Sequence, residues 1–240
     1  MKMKNFIHHL AYKFSKNPIA IFLVRPFWRL YDKHKFLAQI KSIRRNGLPF
    51  LRTLYAKAQD SNVEFWLEFG TLLGAIREGG FISHDFDIDL AAWLKDRDKI
   101  MQLMHSCGAK RVKRFVSDQL ETAYEETYSY RGILIDVFYF TRTGDTIKCN
   151  TFGAFDGELK DSYRNSDGWL VKEVTLKYSP LTEATFCDIK LPVPTNAHDN
   201  LVAHYGKNYM VPDPNYDYKK VATNVHHYPK EVCTGKLYIG

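Results

Sequence analysis

The chain has 240 residues, 45% hydrophobic and 25% charged, the balance of an ordinary globular protein rather than a disordered or fibrous one. It contains no internal repeat and no Cys-x-x-Cys pair; Cys107, Cys149, Cys187 and Cys233 are far apart, so zinc-knuckle and thioredoxin-like chemistry lack their ligand spacing and a reducing, cytoplasmic setting is the simplest expectation. The net charge of +7 is uneven: residues 1–60 carry thirteen Lys/Arg against Asp32 and Asp60, a balance of +11, which leaves −4 on the remainder.

Residues 1–16 place Phe6, Ile7, Leu10 and Phe14 on one helical face, with Lys2, Lys13 and Lys16 mostly elsewhere, a basic amphipathic pattern. The apolar run Ile19 to Val24 is too short for a bilayer, which needs about 20 residues, and no cleavable signal peptide is expected. Phe27, Trp28 and Tyr31 next to Arg25, Arg29, Lys33 and Lys35 form an aromatic and basic strip. Two readings are balanced: peripheral attachment to the inner face of the cytoplasmic membrane through its anionic lipids, or docking on the main domain with a solvated basic face; nucleic acid is the less favoured partner. Gly47 and Pro49 interrupt the stripe of Leu37, Ile40, Ile43, Leu51, Leu54 and Ala58, which predicts two helices meeting near Asn46-Gly47. Residues 1–60 thus form a helical extension and 61–240 the catalytic body.

Val63, Phe65, Leu67 and Phe69 alternate with Glu64, Trp66 and Glu68, the period of a strand. Gly70-Thr71 and a helical run from Leu72 to Arg77 follow. A strand entering a helix through glycine offers free N–H groups to an anion such as a phosphate, so Gly70, Thr71 and the cation of Arg77 are candidate ligands of a diphosphate. Asp85, Asp87 and Asp89 then alternate with Phe86, Ile88 and Leu90. On a strand this puts three carboxylates on one face, roughly 6.5–7 Å apart. Either they face water or they hold a cation, for which oxygen ligands suit Mg²⁺ or Mn²⁺.

A helix is expected over Lys95 to Cys107 with Gly108 as its C-cap, then strands over Ala109 to Val116 and Glu121 to Tyr130. Ile133 to Phe140 reads ILIDVFYF, apolar or aromatic except for Asp136. A buried strand does not hold an ionised carboxylate without a partner; a metal shared with Asp87 and Asp89 would be one, a loop cap or an arginine another. Gly144-Asp145, Asp156-Gly157 and Asp167-Gly168 read as hairpin turns. Tyr163 and Trp169 are candidates to stack on a base or sugar, though core burial is the plainer reading. Thr195 or Asn196 starts a helix that Gly206 ends after Tyr205, with His198 and His204 as lone helical histidines.

The run GTLLGAIREGGFISHDFDIDL from Gly70 to Leu90 resembles the signature of the LicD family, which includes the fukutin-type proteins: GTLLGAxR, a short loop, then IPWDDDIDI or similar. Ser83-His84 stands where Pro-Trp is usual and Phe86 where Asp is common, but the alternate acids survive. Asp136-Val137-Phe138 matches the setting of the family's third acid. Residues 191–216 resemble its C-terminal signature. The resemblance implies an α+β, nucleotidyltransferase-like fold, a mixed sheet flanked by helices with an N-terminal helical extension. It implies a phosphotransferase that moves a phospho-alcohol (phosphocholine, ribitol phosphate or glycerol phosphate) from a CDP-alcohol to a hydroxyl of a cell-surface glycan or its glycolipid precursor. Asp87, Asp89 and Asp136 would hold Mg²⁺ or Mn²⁺, and Asp85 is the candidate base. The alternatives are transfer of the nucleotidyl part, or non-catalytic binding of glycan or nucleic acid.

Overall fold

The computed structural model describes residues 18–153, 167–213 and 221–240, with side chains from residue 34 onward apart from Asp167. The amphipathic stretch 1–16, the turn Asp156-Gly157 and Tyr163 lie outside the described residues, as do the side chains of Phe27, Trp28 and Tyr31.

One continuous helix, α1 (Pro18–Ser61), takes the place of the two expected. Pro49 inside it costs about 3 kcal/mol. Phe50, Leu51 and Leu54 are no more than 1% exposed, and each such burial is worth roughly 1.5–3 kcal/mol, so packing outweighs the proline. Gly47 has a different reason: a β-carbon there would come within 2.7 Å of the Phe81 ring. Asn46 Nδ2 also donates to the Arg131 carbonyl at 2.9 Å. The helix is therefore tied to the body at the point where its sequence predicts a break. No helix among the described residues is long and apolar enough to cross a membrane.

The body alternates strands and helices: β1 (Phe65–Leu67), α2 (Phe69–Arg77), β2 (Asp87–Trp93), a 3-10 turn at Leu94–Asp96 and α3 (Arg97–Ser106), then β3 (Lys110–Ser117), β4 (Tyr124–Tyr130), β5 (Ile133–Thr143), β6 (Thr146–Gly153) and β7 (Asp167–Lys177). The hairpin β8 (Leu181–Phe186) and β9 (Ile189–Pro194) leads into α4 (Ala197–Tyr205), followed by β10 (Val225–His227) and β11 (Thr234–Ile239). Nine strands form one mixed sheet in the order β1-β2-β5-β4-β3-β11-β7-β10, with β6 pairing to both β5 and β7. The pairings β5-β4-β3-β11-β7-β6 thus return to β5. Among the described residues only β2 and β5 run parallel in this sheet; its other pairs are antiparallel. The fold is α+β, as expected.

Strand β5 explains why its sequence is apolar on both faces. Ile135, Val137 and Tyr139 pack with Ile43, Leu54, Ile100 and Met104 of α1 and α3. Phe138 and Phe140 pack on the opposite side with Trp66, Ala91, Cys149 and Val174. Asp136 alternates with the first set and so lies on the second face. The turn before β5, Arg131-Gly132, has φ of 45° and 86°, the left-handed pair that suits a two-residue hairpin. Asp167-Gly168, expected as a hairpin turn, instead opens β7. There Gly235 faces Trp169 and Lys236 faces Asp167, and Gly168, at φ 85°, is the extra residue of a bulge. Trp169 packs edge-on against Phe115 at 5.1 Å.

Candidate active site

Strand β1 is shorter than its alternation predicts. It ends at Leu67, and Glu68 caps α2, its carboxylate accepting from the Phe69 N–H. Phe69, expected on the strand, opens the helix at φ 43°. The chain therefore turns one residue before the glycine, and Gly70-Thr71 belong to the first turn of α2.

Those two residues organise Asp89. The Gly70 N–H donates to Asp89 Oδ2 at 3.0 Å, and the Asp89 N–H donates to Thr71 Oγ1 at 2.9 Å. The Glu68 N–H donates to the Asp89 carbonyl at 3.2 Å. The groups read as donors to a bound phosphate are thus directed at the strand. Gly70 still lines the cleft, whereas Thr71 is buried. A β-carbon on Gly70 would lie 3.0 Å from Asp89 Oδ2, which is why glycine suits this position.

The parallel register sets Asp89 beside Asp136 and Asp87 beside Leu134. One carboxylate oxygen from each of Asp87, Asp89 and Asp136 lies within 4.8 Å of the other two. Asp85, expected as a third carboxylate on this strand, sits in the turn before it. Its Oδ2 accepts from the Ile82 N–H at 2.7 Å and its N–H donates to the Ile82 carbonyl at 3.0 Å. The convergent trio is therefore two acids of β2 and one of β5.

These carboxylates resist ionisation together. Burial, then the charges of Asp136 and Asp85, push Asp87 up to about 7. Burial followed by Asp87 and Asp136 holds Asp89 well above the usual carboxylate range. Burial also raises Asp136, against a hydrogen bond with Thr127 and the charge of Lys113. Asp85 rises to about 6, chiefly by burial, with the Ile82 N–H, His84 and Arg77 opposing. Asp136 Oδ1 is buried and has no hydrogen-bond partner among the described residues. An oxygen-only trio with one orphaned buried oxygen fits a hard divalent cation.

Two of the trio, Asp87 and Asp89, line a cleft of about 1220 Å³ between α2, the loop before β2 and the segment after α4. The sequence reading missed its outer wall, Tyr205 to Val211, although the Tyr-Gly end of α4 was legible. Arg77 lines the cleft too, but its Nε pairs with Glu78 at 2.9 Å and its Nη1 donates to the Tyr209 carbonyl at 3.1 Å, tying α2 to that wall. His84 stands at the rim. Phe86, at the family's usual Asp position, is 40% exposed and packs against Phe36 of α1 with ring centroids 5.5 Å apart. Glu125 was also missed: buried on β4, it is pushed up to about 8 by burial and then by Asp136, and its Oε2 accepts from the Phe152 N–H at 3.2 Å.

Comparison with known proteins gives the chain a family. Residues 62–196 match the model of the LicD/FKTN/FKRP nucleotidyltransferase domain. The ribitol-5-phosphate transferase FKTN of Mus musculus is 26% identical over 185 residues, 76% of this chain and 37% of that protein. The ribitol 5-phosphate transferase FKRP of Homo sapiens is 46% identical over 43 residues, 18% of this chain and 9% of that protein. The chain thus spans a little over a third of the length of its FKTN relative. Among solved structures, the lincosamide antibiotic adenylyltransferase LnuA with bound lincomycin aligns over 66% of this chain and 85% of its own, at 15% identity and a TM-score of 0.40.

Proposed function

The chain belongs to the LicD/FKTN/FKRP nucleotidyltransferase-domain family, and from that premise we propose that it transfers a phospho-alcohol from a CDP-alcohol to a hydroxyl of a glycan or glycolipid. The observation that carries this reading is the convergence of Asp87, Asp89 and Asp136, with an unpartnered Asp136 oxygen, beside a cleft large enough for a nucleotide diphosphate. FKTN and FKRP, by name, act with ribitol 5-phosphate, which makes CDP-ribitol the first donor to test.

Asp87, Asp89 and Asp136 would hold Mg²⁺ or Mn²⁺, which supplies charge neutralisation for diphosphate oxygens. The chain's own residues do the rest. The Gly70 N–H and Thr71 hydroxyl fix Asp89, so one acid is oriented before substrate arrives. Arg77 joins α2 to the Tyr205–Val211 wall and adds positive charge where the donor diphosphate lies. Asp85, poised at about 6 at the cleft, takes the proton from the acceptor hydroxyl. The acceptor oxygen bonds to the phosphorus that carries the alcohol. The bond from that phosphorus to the bridging oxygen breaks, and CMP leaves with the electron pair.

The test is incubation of the full chain with CDP-ribitol, CDP-glycerol, CDP-choline or CTP, with Mg²⁺ or Mn²⁺ and glycan acceptors. The reading predicts CMP release and an acceptor heavier by one phospho-alcohol. Pyrophosphate from CTP with a nucleotidylated product would replace it by the nucleotidyltransferase reading. Binding of glycan or nucleic acid without turnover of any donor would replace it by a non-catalytic one.

A further inference from the structure

Phe69 has a left-handed backbone, φ 43°, a conformation that costs a bulky residue roughly 1–3 kcal/mol and persists only where its surroundings over-determine it. It lies between the cap of α2 and Gly70, whose N–H reaches Asp89. The Phe69 ring is held at 4.6 Å from Phe138 and 4.9 Å from the imidazole of His204.

Immediately before it, Glu68 is fully buried. Its Oε2 accepts from Trp66 Nε1 at 2.9 Å. Its Oε1 accepts from the Phe69 N–H at 3.5 Å and from His204 Nε2 at 3.3 Å. His204, also buried, meets Asn224 Nδ2 with Nδ1 at 3.2 Å. With the Asn224 amide donating there, the imidazole proton sits on Nε2 and points at Glu68. His204 is the penultimate residue of α4, and the outer wall of the cleft starts at Tyr205. The chain Asn224–His204–Glu68, half-buried at Asn224 and buried at the other two, thus joins the cleft's wall to the strained turn.

We propose that His204 is a positioning residue: acting through Glu68, it holds Phe69 in the left-handed turn that points the Gly70 N–H at Asp89, and so fixes one acid of the trio relative to the Tyr205–Val211 wall. The consequence for turnover rests on the phosphotransferase reading above; the positional claim does not.

Amide hydrogen exchange of the full chain without metal, followed by NMR, tests the positional claim in His204→Phe, which keeps a ring against Phe69, and His204→Gln, which keeps a donor. In His204→Phe the Gly70 amide should exchange at least about tenfold faster while Ile135 and Val137 keep their protection; His204→Gln should restore most of it. If His204→Phe does not fold, Glu68→Gln must produce the same local acceleration. Unchanged Gly70 exchange, or equal acceleration at Ile135 and Val137, overturns the proposal. With a donor that the wild type turns over, His204→Phe should lower kcat on the order of tenfold or more with KM nearly unchanged, and His204→Gln should recover it. A wild type inactive on every donor removes the phosphotransferase reading and leaves the exchange result standing.

Discussion

Replacing Asp87 by Asn removes one charge from three crowded carboxylates and keeps the side chain's size. Burial and the neighbouring acids raise Asp87 from 3.8 to about 7 in the fold, while the unfolded chain restores a value of about 3.9. The folded state therefore binds the extra proton. The stability linked to this group is fully present below about pH 4 and is lost as pH rises through about 7. At 1.36 kcal/mol per pKa unit, the displacement is on the order of 4 kcal/mol lost by the metal-free protein above that range. Asparagine escapes the loss. In chelator at about pH 8, Asp87→Asn should unfold at higher temperature than the wild type, by roughly 2–4 °C for each kcal/mol recovered. Below about pH 4, where Asp87 is protonated in the folded and unfolded chains alike, the two proteins should melt together.

Saturating Mn²⁺ should narrow that gap. A ligand at 100 times its Kd stabilises the folded state by about 2.7 kcal/mol, and the wild type alone retains all three acids. The assay is thermal unfolding of both proteins at the two pH values, with chelator and with Mn²⁺. An Asp87→Asn protein less stable than the wild type in chelator at about pH 8, or one that gains as much from Mn²⁺, would refute the crowded-carboxylate argument.

Gly70→Ala places a methyl 3.0 Å from Asp89 Oδ2; donor turnover should fall on the order of 10- to 100-fold with the fold retained by circular dichroism, and full activity would show that Asp89 needs no such support. Glu126, 1% exposed, accepts from Arg111 at 2.8 Å and from the hydroxyls of Tyr124, Tyr128 and Tyr139 at 3.1, 2.8 and 2.6 Å. Arg111→Met removes the cation and should cost roughly 2–4 kcal/mol in urea unfolding, with much of it returned by adding Glu126→Gln; a neutral single variant contradicts this. Deleting residues 1–17 removes Lys2, Lys4, Lys13 and Lys16. At about 1 kcal/mol per basic residue near an anionic surface, co-sedimentation with phosphatidylserine vesicles should weaken on the order of 100-fold or more, and equal binding by both chains contradicts membrane attachment.

What the sequence made legible was local. The run Ile133 to Phe140 announced a strand buried on both faces, and its lone Asp136 announced a group in need of a partner. The alternation of Asp87 and Asp89 with Ile88 and Leu90 fixed a strand with acids on one side. Extending that alternation back to Asp85 failed because the Ile82 N–H captures its carboxylate in a turn. The long helix was misread at Pro49 because propensity is local, whereas Phe50, Leu51 and Leu54 draw their stability from strands and helices far along the chain.

The supports of the site were illegible for the same reason. Glu68 looked like one polar residue of an alternating strand, and His204 like a lone histidine on a helix. Their meaning lies in a contact spanning 136 positions, and periodicity carries no information on such pairs. Glycine is the exception. The requirement at Gly70 is for the absence of a side chain, which the sequence does record, so the motif pointed to the right place while assigning its groups to a ligand. A glycine-threonine corner beside alternating acids thus works on the strand itself: its N–H donor holds the Asp89 carboxylate and its hydroxyl accepts from the Asp89 backbone N–H.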